Sequence, residues 1–254
     1  MTTSAQPVMR LIGRQFVIQS ACVVLAFLVL VGLGTWQMQR LAWKEALLAE
    51  IAARSTGAPA PLPPEAAWPS LKPEDYEYRR VSLAGSFEYD KEALVFRAQG
   101  EGSVSEIGPG YLVMTPLRLA TGAYVIVDRG FVPLAKQRPD SRAAGQTADI
   151  VTLNGLMRSP ETRNLFTPAD DPERGQWFTR DPRQIAAHFH LARAAPFSVD
   201  ADTTPVEGGW PRGGQTVIDI PNNHFDYAMT WYGLALTLVA VFASFVVSRR
   251  KSTS

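Results

Sequence analysis

Residues 222–231 read NNHFDYAMTW, two asparagines, a histidine and an aspartate set against an uncharged apolar run. Asparagine is a favoured N-cap, so Asn222 or Asn223 can open a helix, with Pro221 fixing the approach and His224 in the first turn. Tyr227 at i+3, Ala228 at i+4 and Trp231 at i+7 then share the face of His224. The partial positive charge of a helix N-terminus disfavours protonated imidazole, and neutral imidazole is the form that ligates a metal. Far upstream, Trp36, Arg40, Trp43 and Leu47 recur at i, i+4, i+7 and i+11, a second aromatic and basic stripe. A flat apolar macrocycle with an iron centre suits two such stripes: His224 supplies an axial bond, Trp36, Tyr227 and Trp231 flank the ring, and Arg40 meets peripheral carboxylates at the water boundary. An interfacial aromatic belt with a capped helix accounts for Trp36, Trp43, Tyr227, Trp231 and Tyr232 equally well, although it does not call for a histidine. The residues alone leave both readings open.

The elements that must position these side chains are two uncharged stretches. Residues 17–34 and 227–248 carry no charge. At about 1.5 Å rise per residue, each can cross a hydrocarbon core of about 30 Å. The first stretch follows Arg10 and Arg14 but lacks a small-x-small cleavage site, so it reads as an uncleaved anchor rather than a signal peptide. Arg10, Arg14, Arg249, Arg250 and Lys251 flank the two spans on their outer ends. The other 20 of the 25 Lys and Arg, and all 24 Asp and Glu, fall in residues 35–226, which leaves that loop at −4. The positive-inside rule therefore places both termini in the cytoplasm and the loop in the periplasm of a bacterium. About 16 residues precede the first span, without the Arg- and Ser-rich amphipathic segment of a mitochondrial address.

The expected organisation is a cytoplasmic N-terminus (1–16), a first transmembrane helix (17–34), a juxtamembrane helix (35–54), a Pro-rich linker (55–73), a periplasmic β-rich domain (74–221), a second transmembrane helix with its entry (222–248) and a cytoplasmic C-terminus (249–254). Six prolines between Ser55 and Pro73 argue for an extended spacer. Beyond it, YRRVSLAGSFEY, EALVFRAQ, GYLVMTPLRL, AYVIVDRGFV and DIVTLNGLMR read as short strands, and QWFTRD and APFSVDA as two more. Thr121-Gly122 marks a hairpin. DPRQIAAHFHLA reads as one short helix capped by Asp181 with Pro182 in its first turn. The fold class is thus an α+β membrane protein, two transmembrane helices flanking a mainly antiparallel β domain with a small helix. Cys22, the single cysteine, lies in the first span, so the domain has no disulfide and must be held by its core.

Several chemistries lack their residues. There is no GxSxG elbow, no P-loop, no HExxH and no paired-cysteine site. GEGSVSE lacks the third glycine of a dinucleotide fingerprint. A net charge of +1 gives no nucleic-acid footprint. His188 and His190 are two apart on a predicted helix and point to different faces. Asp128-Arg129, expected at a strand edge, reads as a structural ion pair or turn before it reads as a catalytic pair. No enzyme is expected.

Five ordered elements carry a resemblance: LGTWQMQRLAWK (33–44), YLVMTPLRLATGAYVIVDRGFVP (111–133), GLMRSPETRNLFTP (155–168), WFTRD (177–181) and GGQTVIDIPNNHFDYAMTWYGLA (213–235). With the two-span topology, the chain resembles the Surfeit-locus family of cytochrome c oxidase assembly factors. It departs from many of them at Asp128, where Asn is common, and at Phe131, where Trp is common. The resemblance implies a role in haem-copper oxidase biogenesis in a bacterial plasma membrane. It implies transient binding of haem a, with His224 as axial ligand, and cytochrome c oxidase subunit I as partner. Haem a synthase and other oxidase assembly factors are further partners it allows, alongside membrane lipid. The alternative is a cofactor-free, membrane-tethered scaffold that holds subunit I or other assembly factors during biogenesis.

Overall fold

A computed structural model describes residues 14–216, 218 and 222–251. Arg10 in the basic N-terminal flank, Pro221 in the helix entry and residues 252–254 lie outside the described residues. The helices are α1 (Arg14–Thr56), α2 (Pro73–Tyr76), α3 (Pro182–His188) and α4 (His224–Lys251). The strands are β1 (Ala60–Pro61), β2 (Arg80–Phe87), β3 (Ala93–Arg97), β4 (Gly110–Leu119), β5 (Tyr124–Pro133), β6 (Val151–Arg158) and β7 (Ala194–Ala201). The chain divides into two compact units, one from the chain up to Leu48 and from Ile220 on, the other from Ala49–Asp219.

In the first unit, α1 and α4 are long and apolar enough to cross a membrane. Span and juxtamembrane segment are one uninterrupted helix, because no residue between Arg14 and Thr56 is a proline. Gly57 and Pro59 then end it. The two helices lie against each other through small residues. Gly34 and Ala235 are buried and Ala228 is fully so. A methyl group on Gly34 would come within 2.7 Å of the Tyr232 ring. Small side chains let helix backbones approach closely where lipid offers no hydrophobic drive.

In the second unit, the strands run β1-β2-β6-β7-β5-β4-β3, and β2 also pairs with β4. That last pairing joins the two ends of β2-β6-β7-β5-β4 into a closed five-stranded barrel. Ten-residue β4 makes closure possible: its first half pairs with β3, from Ala93↔Met114 to Arg97↔Gly110, and its last three residues pair with β2, from Gly85↔Leu119 to Phe87↔Leu117. Gly85 sits at the junction, where a Cβ would lie 2.4 Å from the Arg118 carbonyl oxygen. Alternation along the strands fills the interior with Val81, Leu83, Leu117, Val125, Val127, Met157, Phe197 and Val199. β5 and β7 are parallel, and α3 lies on the connection between them. The outward side chain Ile126 packs with Ile185 of α3, Met114 and Trp177, so β5 is buried on both faces.

The Thr121-Gly122 hairpin forms, with Gly122 at φ +80°. Asp181 caps α3 by accepting from the Arg183 and Gln184 amides at 2.9 and 3.4 Å. His188 is half-buried, its ring 5.6 Å from that of Trp177, and His190 is exposed. Two expectations change. The Pro-rich stretch is no free spacer: Ala60–Pro61 pairs parallel to β2, and the 3-10 segment Glu65–Ser70 carries Trp68 into the core. Trp68 is 6 % exposed, edge-on to Phe197 at 5.7 Å, with its Nε1–H donating to the Pro63 carbonyl. Proline excludes an α-helix but tolerates an edge strand and a 3-10 turn, and a tryptophan supplies the burial. QWFTRD is not a strand. It contributes two isolated bridges, Gln176 to Asp171 and Trp177 to Val95, which do not extend into a ladder.

Candidate functional site

α4 begins at His224, and the Asn223 carbonyl accepts the Tyr227 amide at 3.2 Å. The expected first-turn position of the histidine is therefore its position in the structure. His224 is half-buried, and its Nδ1 lies 2.7 Å from Oε1 of Gln37 on α1. With the amide oxygen as acceptor, Nδ1 is the donor, and in the neutral ring the remaining lone pair is on Nε2. That tautomer and orientation are what a metal-ligating histidine needs, with the second nitrogen donating to a fixed acceptor. Gln37 is itself 9 % exposed, a buried polar side chain in an apolar helix. Beside it, Thr35 donates back to the Val31 carbonyl at 2.8 Å and meets the Tyr232 hydroxyl at 3.2 Å. These polar contacts fix the rotation of α1 against α4.

The predicted stripe on α1 is present. The Arg40 guanidinium lies 6.0 Å from the Trp36 ring and 5.2 Å from the Trp43 ring, cation–π distances. Trp36, Trp43 and Tyr227 are each about half exposed, at 49, 58 and 56 %, so each has a ring free for another partner. Trp231 is half-buried on the His224 face. Among the described residues, the hydrogen bond of the His224 side chain is the one to Gln37, and no ring contact joins it to Trp36, Tyr227 or Trp231. The structure thus unites His224 with Gln37, and Arg40 with Trp36 and Trp43, as two groups on one helix pair. Asn222 Oδ1 is buried, with no hydrogen-bond partner among the described residues.

An imidazole, exposed aromatic rings and a guanidinium are the residue types a haem site draws on. Among the described residues, no three His, Cys, Asp or Glu gather into a metal site. A lone histidine holds iron where a macrocycle brings the remaining ligands. In the neutral ring His224 has one nitrogen lone pair beyond its bond to Gln37, and Trp36, Trp43 and Tyr227 present exposed ring faces. Sequence reasoning missed Gln37. Its signal was a polar side chain inside a helix otherwise built to span lipid.

In the β domain, Asp128 and Arg129 do not pair with each other, and β5 is an interior strand, not an edge. Asp128 stands in register with Asp200 across the parallel pair. Asp200 Oδ2 accepts from Arg158, Arg180 and Thr216 at 3.0, 3.1 and 2.7 Å. Arg180 lies 3.9 Å from Asp128, which also accepts the Gly130 amide at 2.8 Å. Burial, and then the charge of Asp200, push the Asp128 carboxyl up to about 7. The two carboxylates converge, but on a cavity of about 20 Å³, room for about one water. Arg129 turns the other way, to Glu92 at 3.0 Å, which it shares with Arg142. Gly130 joins the two networks: at φ +115°, its α-carbon packs where a Cβ would lie 1.9 Å from the Arg212 carbonyl oxygen.

The profile of the SURF1 family matches residues 24–236. The chain is 40% identical over 231 residues to a SURF1-like protein of Monosiga brevicollis, across 87% of this chain and 83% of that protein. It is 37% identical over 226 residues to Surfeit locus protein 1 of Mus musculus, across 85% and 72%, and 37% identical over 227 residues to Surfeit locus protein 1 of Takifugu rubripes, across 85% and 92%. Fold and site define a protein with two helices fit to cross a membrane and a β-barrel domain between them in sequence. The chain belongs to the SURF1 family, and all five elements that carried the resemblance fall inside the matched region.

Proposed function

We propose that the protein is a non-enzymatic cytochrome c oxidase assembly factor of a bacterial plasma membrane, with both termini cytoplasmic and the barrel domain periplasmic. Its cargo is haem a, and its client is oxidase subunit I, which it helps to load or to stabilise in the loaded state. Other assembly factors, haem a synthase among them, belong to the same reading. Family membership supports the oxidase role. The observation that carries the haem reading is the His224–Gln37 hydrogen bond, which orients the ring and, in neutral imidazole, leaves the lone pair to Nε2 at the start of the second apolar helix.

Each residue has a part in holding such a cargo. His224 would ligate the iron through Nε2, and Gln37 would hold the ring oriented by accepting from Nδ1. Trp36, Tyr227 and Trp231 offer aromatic faces, and Arg40 offers a guanidinium for the propionates. Haem, when bound, supplies an iron that takes the histidine bond and absorbs in the visible. The test is to purify the full chain from a host that makes haem a. Wild type is expected to carry the pigment and His224→Ala to lose it. A His224→Ala protein with wild-type haem content and spectrum would refute the ligand assignment. A wild-type protein that carries no haem a yet pulls down subunit I would establish the cofactor-free scaffold instead.

A further inference from the structure

Beside their line of contact, α1 and α4 leave a groove of about 700 Å³, lined from α1 by Cys22, Ala26 and Val29 and from α4 by Leu234, Leu238 and Val241. No charged side chain lines it, and the Thr237 hydroxyl in its wall is already engaged, donating to the Gly233 carbonyl at 2.9 Å. Along α1 the lining residues recur at steps of four and three, and the same steps carried on from Val29 reach Leu33, Trp36, Arg40 and Trp43. Along α4, steps of three and four taken back from Val241 pass Leu238 and Leu234 and reach Trp231 and Tyr227. Groove and aromatic stripe are therefore one continuous face on each helix. At about 1.5 Å per residue, the far end of the groove at Val241 lies about 15 Å beyond Trp231 along α4.

We propose that this groove takes the isoprenoid tail of haem a, an inference that rests on the reading of haem a as the cargo. The face matches such a ligand end to end. Arg40, at one end of the α1 stripe, meets the propionates. The tail leaves the macrocycle at the edge away from the propionates, so it runs along both helices toward Val29 and Leu234. A lipid chain is as apolar as the tail, and composition alone does not choose between them. Continuity does: a tail tethered to a macrocycle held at His224 reaches the groove at high effective concentration, whereas a free chain has no such tether. Lipid already solvates the tail, so the preference for the groove comes from packing against fixed walls. Ala26, the smallest side chain on its stripe, gives the groove its depth.

The test titrates the full chain in nanodiscs with haem a, haem o and haem b, followed by visible absorption. Each titration is referred to empty nanodiscs, which cancels the tail's own preference for lipid. Haem o carries the tail without the formyl group of haem a, and haem b carries neither. Wild type is expected to bind haem a and haem o about tenfold more tightly than haem b, the order of effect of one well-filled apolar recess. Ala26→Phe fills the groove and is expected to lose that preference with its haem b affinity unchanged, which also shows that the helix pair is intact. Val24→Phe, exposed on the opposite face of α1, is expected to behave as wild type. Haem o that binds no more tightly than haem b overturns the tail groove and leaves the haem reading standing, and so does an Ala26→Phe chain that keeps the preference. A wild-type chain that binds none of the three overturns both. Should Ala26→Phe fail to fold, Val29→Phe makes the same test one turn nearer the rings, with the same outcomes.

Discussion

His224 Nδ1 and Gln37 Oε1 stand 2.7 Å apart although 187 residues separate them in sequence. The bond ties the start of one apolar helix to the middle of the other, and it fixes which imidazole nitrogen is free. Replacing Gln37 by Leu removes the acceptor while keeping the volume apolar. Loss of a fixed partner to a ligating histidine typically costs about 10–100-fold in affinity. We therefore expect Gln37→Leu to keep the haem spectrum at high pigment supply and to lose haem about 10–100-fold more readily on dilution. Titration followed by visible absorption checks this, and an affinity equal to wild type would show that Gln37 does not position the histidine.

Asp128 gives a pH dependence with a defined sign. Its carboxyl is raised from 3.8 to about 7 by burial first and by Asp200 second. Arg180, near both acids, and the Gly130 amide only partly offset this. Between those two pH values, the folded protein holds a proton that the unfolded chain has released, so stability falls as pH rises through about 7. Asp128→Asn is neutral throughout. The variant is expected to melt higher than wild type at pH 8, by a few degrees on the order of the usual shift per kcal/mol, and the gap should close toward pH 5. Melts of the full chain in detergent at both pH values decide it, since a pH-independent gap would mean that Asp128 is charged in the fold.

Much of the fold was legible from local signals. Two uncharged stretches gave the spans, Thr121-Gly122 gave the hairpin, and Asp181-Pro182 gave the start of α3. Barrel closure was not legible, because Gly85↔Leu119 pairs strands across a long stretch of sequence with no local signature. QWFTRD alternates like a strand but finds only isolated bridges at Gln176 and Trp177, since alternation reports burial and not a neighbouring ladder. At the site, His224 and the Trp36–Arg40–Trp43 stripe were visible from type and spacing. Gln37 escaped because it faces α4, off the stripe that spacing selects, and its role exists only once the two helices are packed.

Trp68 tests whether the Pro-rich stretch is part of the domain. Its indole is buried against Phe197, with Nε1 bonded to Pro63. Truncating a buried tryptophan typically costs about 3–5 kcal/mol. We expect Trp68→Ala to destabilise the barrel by that order, read as a lower denaturation midpoint in urea. A loss below about 0.5 kcal/mol, the usual range of surface changes, would return this segment to the status of a spacer.

Glu92 is the last test, because one carboxylate there serves two cations. Its side chain is 4 % exposed. It accepts from Arg142 at 3.0 and 2.6 Å and from Arg129 at 3.0 Å. Arg129 in turn lies over the rings of Phe87 and Tyr89 at 5.2 and 4.8 Å, so the pair braces the end of β2 against β5. Removing one partner of a buried ion pair leaves an uncompensated charge and costs about 3–5 kcal/mol. Glu92→Gln leaves two such cations and is expected to unfold at markedly lower denaturant. Replacing both members by apolar residues of similar length removes the stranded charge at Arg142 as well. Glu92→Met/Arg142→Met is therefore expected to recover part of the loss, and a double variant less stable than Glu92→Gln would show that the network stabilises the barrel through hydrogen bonds rather than through charge balance.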